Sequence, residues 1–168
     1  NAACPMCARN VNGDGCVVSL ADLSFDKFQA HVTSRLVSLD KIFFCGSLGD
    51  PCADKELLKK IAWVKNIRPN IVVGINTNGS IRNPAWWTEC ATLLTGIYDY
   101  VVFSIDGLAD TNHIYRVGVQ FDKIMQNAQA YIDAGGSAHW DMLVFDHNKH
   151  QIEDCKQLAD SMRFTWFR

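Results

Sequence analysis

Short, almost wholly apolar runs alternate along this chain with segments whose apolar residues recur every three or four positions, and that alternation restricts the fold more than any other feature. The runs Ile71-Val72-Val73 and Tyr100-Val101-Val102-Phe103 are too apolar for strands with one wet face. They suit a parallel sheet covered on both sides or the interior of a barrel. Between them, periodicity near 3.6 predicts amphipathic helices, so βα units and a parallel α/β fold are expected.

Local signals place the elements. Ser24 is a helix cap ahead of the stripe Phe25, Phe28, Val32 and Leu36, and a strand follows over Lys41 to Cys45. A helix starting near Asp54 buries Leu57, Leu58, Ile61 and Val64 and stops before Pro69; Ile71 to Ile75 is the next strand. Asn83-Pro84 reads as cap then first-turn proline, with Gly96 as the stop, and Tyr100 to Ile105 as the third strand. The stripe Phe121, Ile124, Ala128, Tyr131 and Ile132 ends at Gly135-Gly136. Trp140 to Phe145 is expected as the fourth strand. Ile152, Cys155, Leu158, Ala159 and Met162 stripe the last helix, and Phe164 to Phe167 begins a further strand. No repeat or linker divides the 168 residues, which are read as one domain.

Charge and composition narrow the function. With 16 Lys+Arg against 18 Asp+Glu, the net charge of −2 and a pI near 6.2 give no electrostatic reason to expect binding to nucleic acid or anionic lipid. No apolar run approaches the length of a membrane span, and the first residues lack the layout of a signal peptide, so a cytoplasmic location is expected. In that compartment seven cysteines point to metal or redox chemistry ahead of a disulfide framework. Asn1 in place of Met, and a strand begun at the C-terminus, suggest a segment of a longer chain, truncated at both ends.

In parallel α/β folds ligands sit on the loops that leave the carboxyl ends of the strands. Here those loops read Cys45-Gly46-Ser47-Leu48-Gly49-Asp50-Pro51, then Thr77-Asn78-Gly79, then Ser104-Ile105-Asp106-Gly107. Each is a tight turn by composition, and together they suit a pocket for a polar small molecule. Cys4-Pro5-Met6-Cys7 admits several readings. The thiols are small buried hydrophobes, or a redox pair, which the loop-like Asn10 to Gly15 after them disfavours. They are half of a zinc site completed from Cys16, Cys45, Cys52, His147 or His150, or they are iron–sulfur ligands awaiting a third thiolate.

As a block, Asn1-Ala2-Ala3-Cys4-Pro5-Met6-Cys7 resembles the CxxxCxxC loop of the radical S-adenosylmethionine superfamily, with the first cysteine falling immediately before Asn1. The likeness is to the branch holding sulfatase-maturating enzymes, molybdenum-cofactor synthesis protein A and the peptide modifiers with SPASM-type extensions. Gly49-Asp50-Pro51 stands where that family has Gly-Gly-Glu-Pro, with Leu48 for the first glycine and a carboxylate one methylene shorter. Thr77-Asn78-Gly79 looks like its Thr-Asn-Gly. Ser104 and Arg116, twelve residues later, look like its serine and arginine. Asp141 to Asn148 looks like its adenine-bordering strand and asparagine.

The resemblance implies a partial (β/α)6 barrel of the radical S-adenosylmethionine type, of which about four βα repeats are complete in this segment. It implies a [4Fe–4S] cluster held through Cys4 and Cys7, and S-adenosylmethionine contacted by Met6, Gly49, Asp50, Asn78, Ser104, Arg116, Leu143 and Val144. In the family Asp50's position lines the cofactor's amino group, and Ser104 and Arg116 hold its carboxylate, a task that suits the guanidinium fork. The reaction it implies is one-electron cleavage to a 5′-deoxyadenosyl radical that abstracts hydrogen from substrate. A one-electron donor protein and a peptide or protein substrate are the implied partners. Without the first cysteine the segment is expected to hold no normal site-differentiated cluster, and no substitute is obvious, since Cys16 or Cys45 would be drawn in only artefactually. The competing readings are a non-enzymatic zinc-binding α/β module and a degenerate homologue that kept the barrel without the cluster. Cys52, Cys90 and Cys155 read as buried helix residues.

Overall fold

A computed structural model describes residues 2–7, 22–46 and 48–168. The loop expected over Asn10 to Gly15, together with Asn1, Cys16 and Ser47, lies outside the described residues.

Helices and strands alternate as the periodicity requires: α1 (Phe25–Leu36), β1 (Lys41–Phe44), α2 (Leu57–Ile67), β2 (Val72–Thr77), α3 (Pro84–Leu93), β3 (Tyr100–Ser104), a single turn α4 (Asn112–Tyr115), α5 (Phe121–Asp133), β4 (Ala138–Asp141), α6 (Ile152–Ser161) and β5 (Trp166–Phe167). The caps act as read. Ser24 accepts from the Lys27 amide and Asn83 from that of Trp86, with Pro84 at the first turn. Gly135 takes φ +91° just after α5, the left-handed conformation in which an α-helix commonly stops.

The strands form one parallel sheet in the unbroken order β1-β2-β3-β4-β5. Right-handed crossovers between strands laid down in this order put the connecting helices on one face, and no reversal of the doubly wound kind occurs. Val73 and Ile75 of β2, Val101 and Phe103 of β3 and Trp140 of β4 are all fully buried. They form the core with Ile61, Trp87, Ile124 and Tyr131 from the helices.

Of the two settings expected for such apolar strands, a sheet covered on both sides or a barrel interior, the first is not seen among the described residues, since the opposite face carries exposed rings. Lys41, Phe43, Tyr100, His139 and Trp166 form a row across it, with Tyr100 and His139 stacked at 4.8 Å between ring centroids, and Phe43 and Trp166 remain exposed. Strand alternation sends Gly74 and Asn76 to this face too. A Cβ on Gly74 would lie 2.7 Å from Phe43 and 2.9 Å from the Tyr100 ring, so the absence of a side chain lets the two rings approach.

The fourth strand is also displaced from the expected Trp140 to Phe145. It starts at Ala138 and ends at Asp141, because its partner β3 runs out at Ser104 opposite Asp141. Beyond that point side chains capture the backbone: Leu143 N donates to Asp106 Oδ1, and Asn148 accepts from Phe145 N. Among the described residues no helix is long and apolar enough to cross a membrane.

Candidate functional site

Three loops at the carboxyl ends of β1, β2 and β3 close around a cavity of ≈ 220 Å³, with the Cys4–Cys7 turn as its fourth wall. Of the residues singled out by sequence, Cys4, Cys7, Gly49, Asp50, Asn78, Ser104 and Arg116 all line it. An adjoining cavity of ≈ 330 Å³ shares Ser104 and Arg116 and is bordered by Leu143. Met6 and Val144 border neither cavity; they are exposed, at 73% and 56%.

The Asp50 loop is built by that residue's carboxylate. Oδ1 accepts from Cys52 N at 2.9 Å, which caps the short helical turn Pro51–Ala53, and Thr77 Oγ1 donates to both oxygens at 3.0 Å. Oδ2 accepts from Asn78 N at 2.8 Å and Asn78 Nδ2 at 2.7 Å. Asp50 thus fastens the loop after β1 to the loop after β2, and its acceptor capacity is filled by protein donors. Gly79, at φ +73°, makes the turn that follows; a Cβ there would also lie 2.7 Å from Phe103. Asn127 of α5 ties the turn down from outside, donating to Gly79 O at 2.8 Å.

Arg116 is neither solvated nor free. Its Nε donates to Asp106 Oδ2 at 2.6 Å, and Nη1 donates to Cys4 Sγ at 3.9 Å. The arginine side chain is 15% exposed and the aspartate wholly buried, so the charges are held as a desolvated pair. Asp106, which the sequence places in the tight turn after β3, is the hub of this corner. Its Oδ1 accepts from Leu143 N, its amide donates to Asn112 Oδ1, and its carbonyl accepts from Asn148 Nδ2. This hub aligns Arg116 with the segment bearing Leu143.

Cys4 and Cys7 are joined by a turn in which Cys7 N donates to Cys4 O at 3.1 Å, and the loop is anchored by Ala3 N to Val117 O. Burial pushes the Cys4 thiol up, while the Arg116 guanidinium draws it back down. Cys45 borders the same cavity. Among the described residues, however, no three His, Cys, Asp or Glu side chains come together as a metal site. The zinc reading therefore gains no closed ligand set there. Cys52, Cys90 and Cys155 are fully buried, as the bland reading expects, and burial pushes Cys90 up to about 12 and Cys155 to about 11.

Sequence reasoning missed Asn76. Its Oδ1 is buried without a hydrogen-bond partner and the residue lines the cavity. The signal was present: a polar side chain interrupts the apolar β2 at the same parity as Gly74.

No protein-family model and no curated protein matches the chain. Solved structures do. One of anSMEcpe with bound AdoMet (S-adenosylmethionine) superposes with a TM-score of 0.77 at 16% identity, covering 99% of this chain and 47% of that one. Streptococcus suis SuiB bound to S-adenosylmethionine gives 0.70 at 14% identity, covering 89% and 34%. SuiB bound to the precursor peptide SuiA gives 0.68 at 15%, covering 88% and 32%. The chain thus shares its α/β fold with these proteins and spans a third to a half of their length.

Proposed function

We propose that this chain is the core domain of a radical S-adenosylmethionine enzyme, with the strands curved as part of a (β/α)6 barrel. The observation that carries the reading is the single cavity. Residues as distant in sequence as Cys4, Asp50, Asn78, Ser104 and Arg116, picked out by motif, border one space at the carboxyl ends of parallel strands. The neighbours add support, since they share the fold and were solved with S-adenosylmethionine.

The polar groups fit the carboxylate end of S-adenosylmethionine, since Ser104 and Arg116 border the same cavity. Arg116, held in orientation by Asp106 through Nε and by Cys4 through Nη1, has further N–H groups to offer a carboxylate. Ser104 supplies a hydroxyl beside it. Leu143 offers an apolar edge in the adjoining space. Cys4 and Cys7 fit as two of the three thiolates that a [4Fe–4S] cluster with one open iron would take. Such a cluster would supply one electron for reductive cleavage of the sulfonium, the chemistry that hydrogen abstraction from a substrate would draw on.

Burial raises the Cys4 thiol overall, and the adjacent Arg116 guanidinium offsets part of that rise. Asp50 acts on the loops: by fixing Asn78 and Cys52 it shapes the wall of the cavity. A peptide or protein side chain is the proposed substrate, because SuiB was solved with its precursor peptide and anSMEcpe with peptides. A one-electron donor protein is the partner such chemistry needs, and the cytoplasm the compartment it suits.

The test is anaerobic reconstitution of the full-length protein with iron and sulfide, reduction, addition of S-adenosylmethionine and assay for 5′-deoxyadenosine. The expected result is product formation that disappears, together with the cluster's visible absorbance, in Cys7→Ala. Full iron loading of Cys7→Ala would sink the ligand assignment. Bound cofactor with no iron in the wild-type protein would mark a homologue that kept the fold and lost the cluster.

A further inference from the structure

The uncovered face of the sheet carries a separate cavity of ≈ 440 Å³ at the amino-terminal ends of the strands. It shares no lining residue with the two cavities of the cofactor reading and stands on its own observations. Its size falls among small-molecule sites, which run from about 300 to 1,000 Å³. We infer that this cavity binds a small aromatic anion, the charge held by Lys41 and Tyr100 and the rings laid on Tyr98 and Trp166.

The charges on the wall give the sign of the ligand. Lys41 Nζ donates to Tyr100 Oη at 2.5 Å and lies 4.6 Å from the centroid of that ring. Among the described residues no carboxylate pairs with Lys41. An ammonium has three donors, so two remain, and Tyr100 Oη, accepting from a cation, keeps its own hydrogen to donate beside them. Asp99, the only carboxylate among the described lining residues, is already engaged. Its side chain is buried, pairs with Lys65 Nζ at 2.5 Å and accepts from the Val73 and Gly96 amides at 2.8 Å. Burial lowers the His139 imidazole below its usual range, so it adds no charge at neutral pH. One cation without a counter-charge, with a hydroxyl donor next to it, is complementary to an anion.

The ring surface gives the body of the ligand. Tyr100 and His139 pack face to face at 4.8 Å with 2° between their planes, and His139 meets Trp166 at 6.4 Å, so the three hold one another in a row. Trp166 and Tyr98 border the cavity and are nonetheless 65% and 71% exposed. Large apolar groups gathered in solvent at the edge of a cavity mark a surface that a partner covers. An aliphatic acid would leave these rings wet, and a neutral aromatic would leave Lys41 unmet. An aromatic anion satisfies both.

Fluorescence titration of the full-length protein with anilinonaphthalene sulfonate, an aromatic anion, and with phenylnaphthylamine, its uncharged counterpart, tests the site. Wild type should bind the anion about tenfold more tightly, the value of one charge-assisted hydrogen bond at a partly exposed site. Lys41→Met keeps the apolar stem and should erase that preference while leaving the affinity for the neutral dye unchanged. Trp166→Ala should weaken both dyes alike, and added salt should weaken the anion alone. Lys41 and Trp166 are both exposed, so the urea midpoints of the two variants should match wild type, and lost binding is then not lost folding.

Equal affinity of wild type for the two dyes, or a preference for the anion that survives in Lys41→Met, would overturn the inference. So would affinities for both dyes that Trp166→Ala leaves unchanged. Failure of the full-length protein to bind either dye would overturn it as well, since another part of the chain or a second copy would then cover this face. None of these results bears on S-adenosylmethionine, whose binding is measured separately and belongs to the other end of the strands.

Discussion

Arg116 is joined to Asp106 by an Nε–Oδ2 bond of 2.6 Å, and the aspartate side chain has no exposure to solvent. The guanidinium that the sequence offers as a ligand grip is thereby a structural cation as well. One residue orients the cavity wall, balances a buried carboxylate and touches the Cys4 sulfur. Any substitution there has two consequences that need separating.

Arg116→Ala leaves Asp106 buried and unpaired, and should cost about 3–5 kcal/mol of folding stability. Adding Asp106→Asn to it should recover part of that loss. Urea unfolding of both variants checks this: an Arg116→Ala protein as stable as wild type would show that the pair carries no structural weight. Arg116→Lys, which keeps the charge and loses the fork, should retain more stability than Arg116→Ala yet still bind S-adenosylmethionine more weakly.

Asp50→Ala strands the donors of Cys52, Thr77 and Asn78 and should destabilise by about 1–3 kcal/mol. Hydrogen exchange localises the effect. The Asn78 and Cys52 amides should lose protection while those of α5 keep theirs; uniform loss would mean that Asp50 supports the whole sheet and not the loop pair.

Gly74→Ala should destabilise by about 1–3 kcal/mol, because the new methyl meets the Phe43 and Tyr100 rings at 2.7 and 2.9 Å. Combining it with Phe43→Ala removes one of the two clashes, leaving that with Tyr100, and should reduce the cost of the methyl. A double-mutant cycle by urea unfolding reads this coupling, and strict additivity would contradict the contact.

Alkaline pH should weaken the fold through its buried thiols. Burial raises Cys90 from an ordinary 9.0 to about 12, so the native state keeps a proton that the unfolded chain gives up. The contribution is whole below pH 9 and is lost as pH climbs from 9 toward 12. The urea midpoint should fall across that window, and fall less steeply in Cys90→Ala. An equal slope in the two proteins would remove Cys90 as a source.

What was legible in the sequence was periodic or local. The apolar stripes of α1 and α5, the caps Ser24 and Asn83 and the runs of β2 and β3 depend on neighbours a few residues away, and they appear where the pattern places them. The loops that meet at the cavity were legible for a related reason: in parallel α/β folds the carboxyl ends of the strands lie on one rim. The end of β4 was not legible, because it is set by where β3 stops offering partners, at Ser104.

The sequence by itself therefore determined the alternation of elements, their caps and which loops share a rim. Only the tertiary structure decided which polar groups on that rim are already engaged. Asp50 meets Thr77 and Asn78 across 27 and 28 residues, and Arg116 meets Cys4 across 112. Hydrogen-bond capacity is finite, and long-range contacts determine who fills it; Asp50 is thereby committed to the fold.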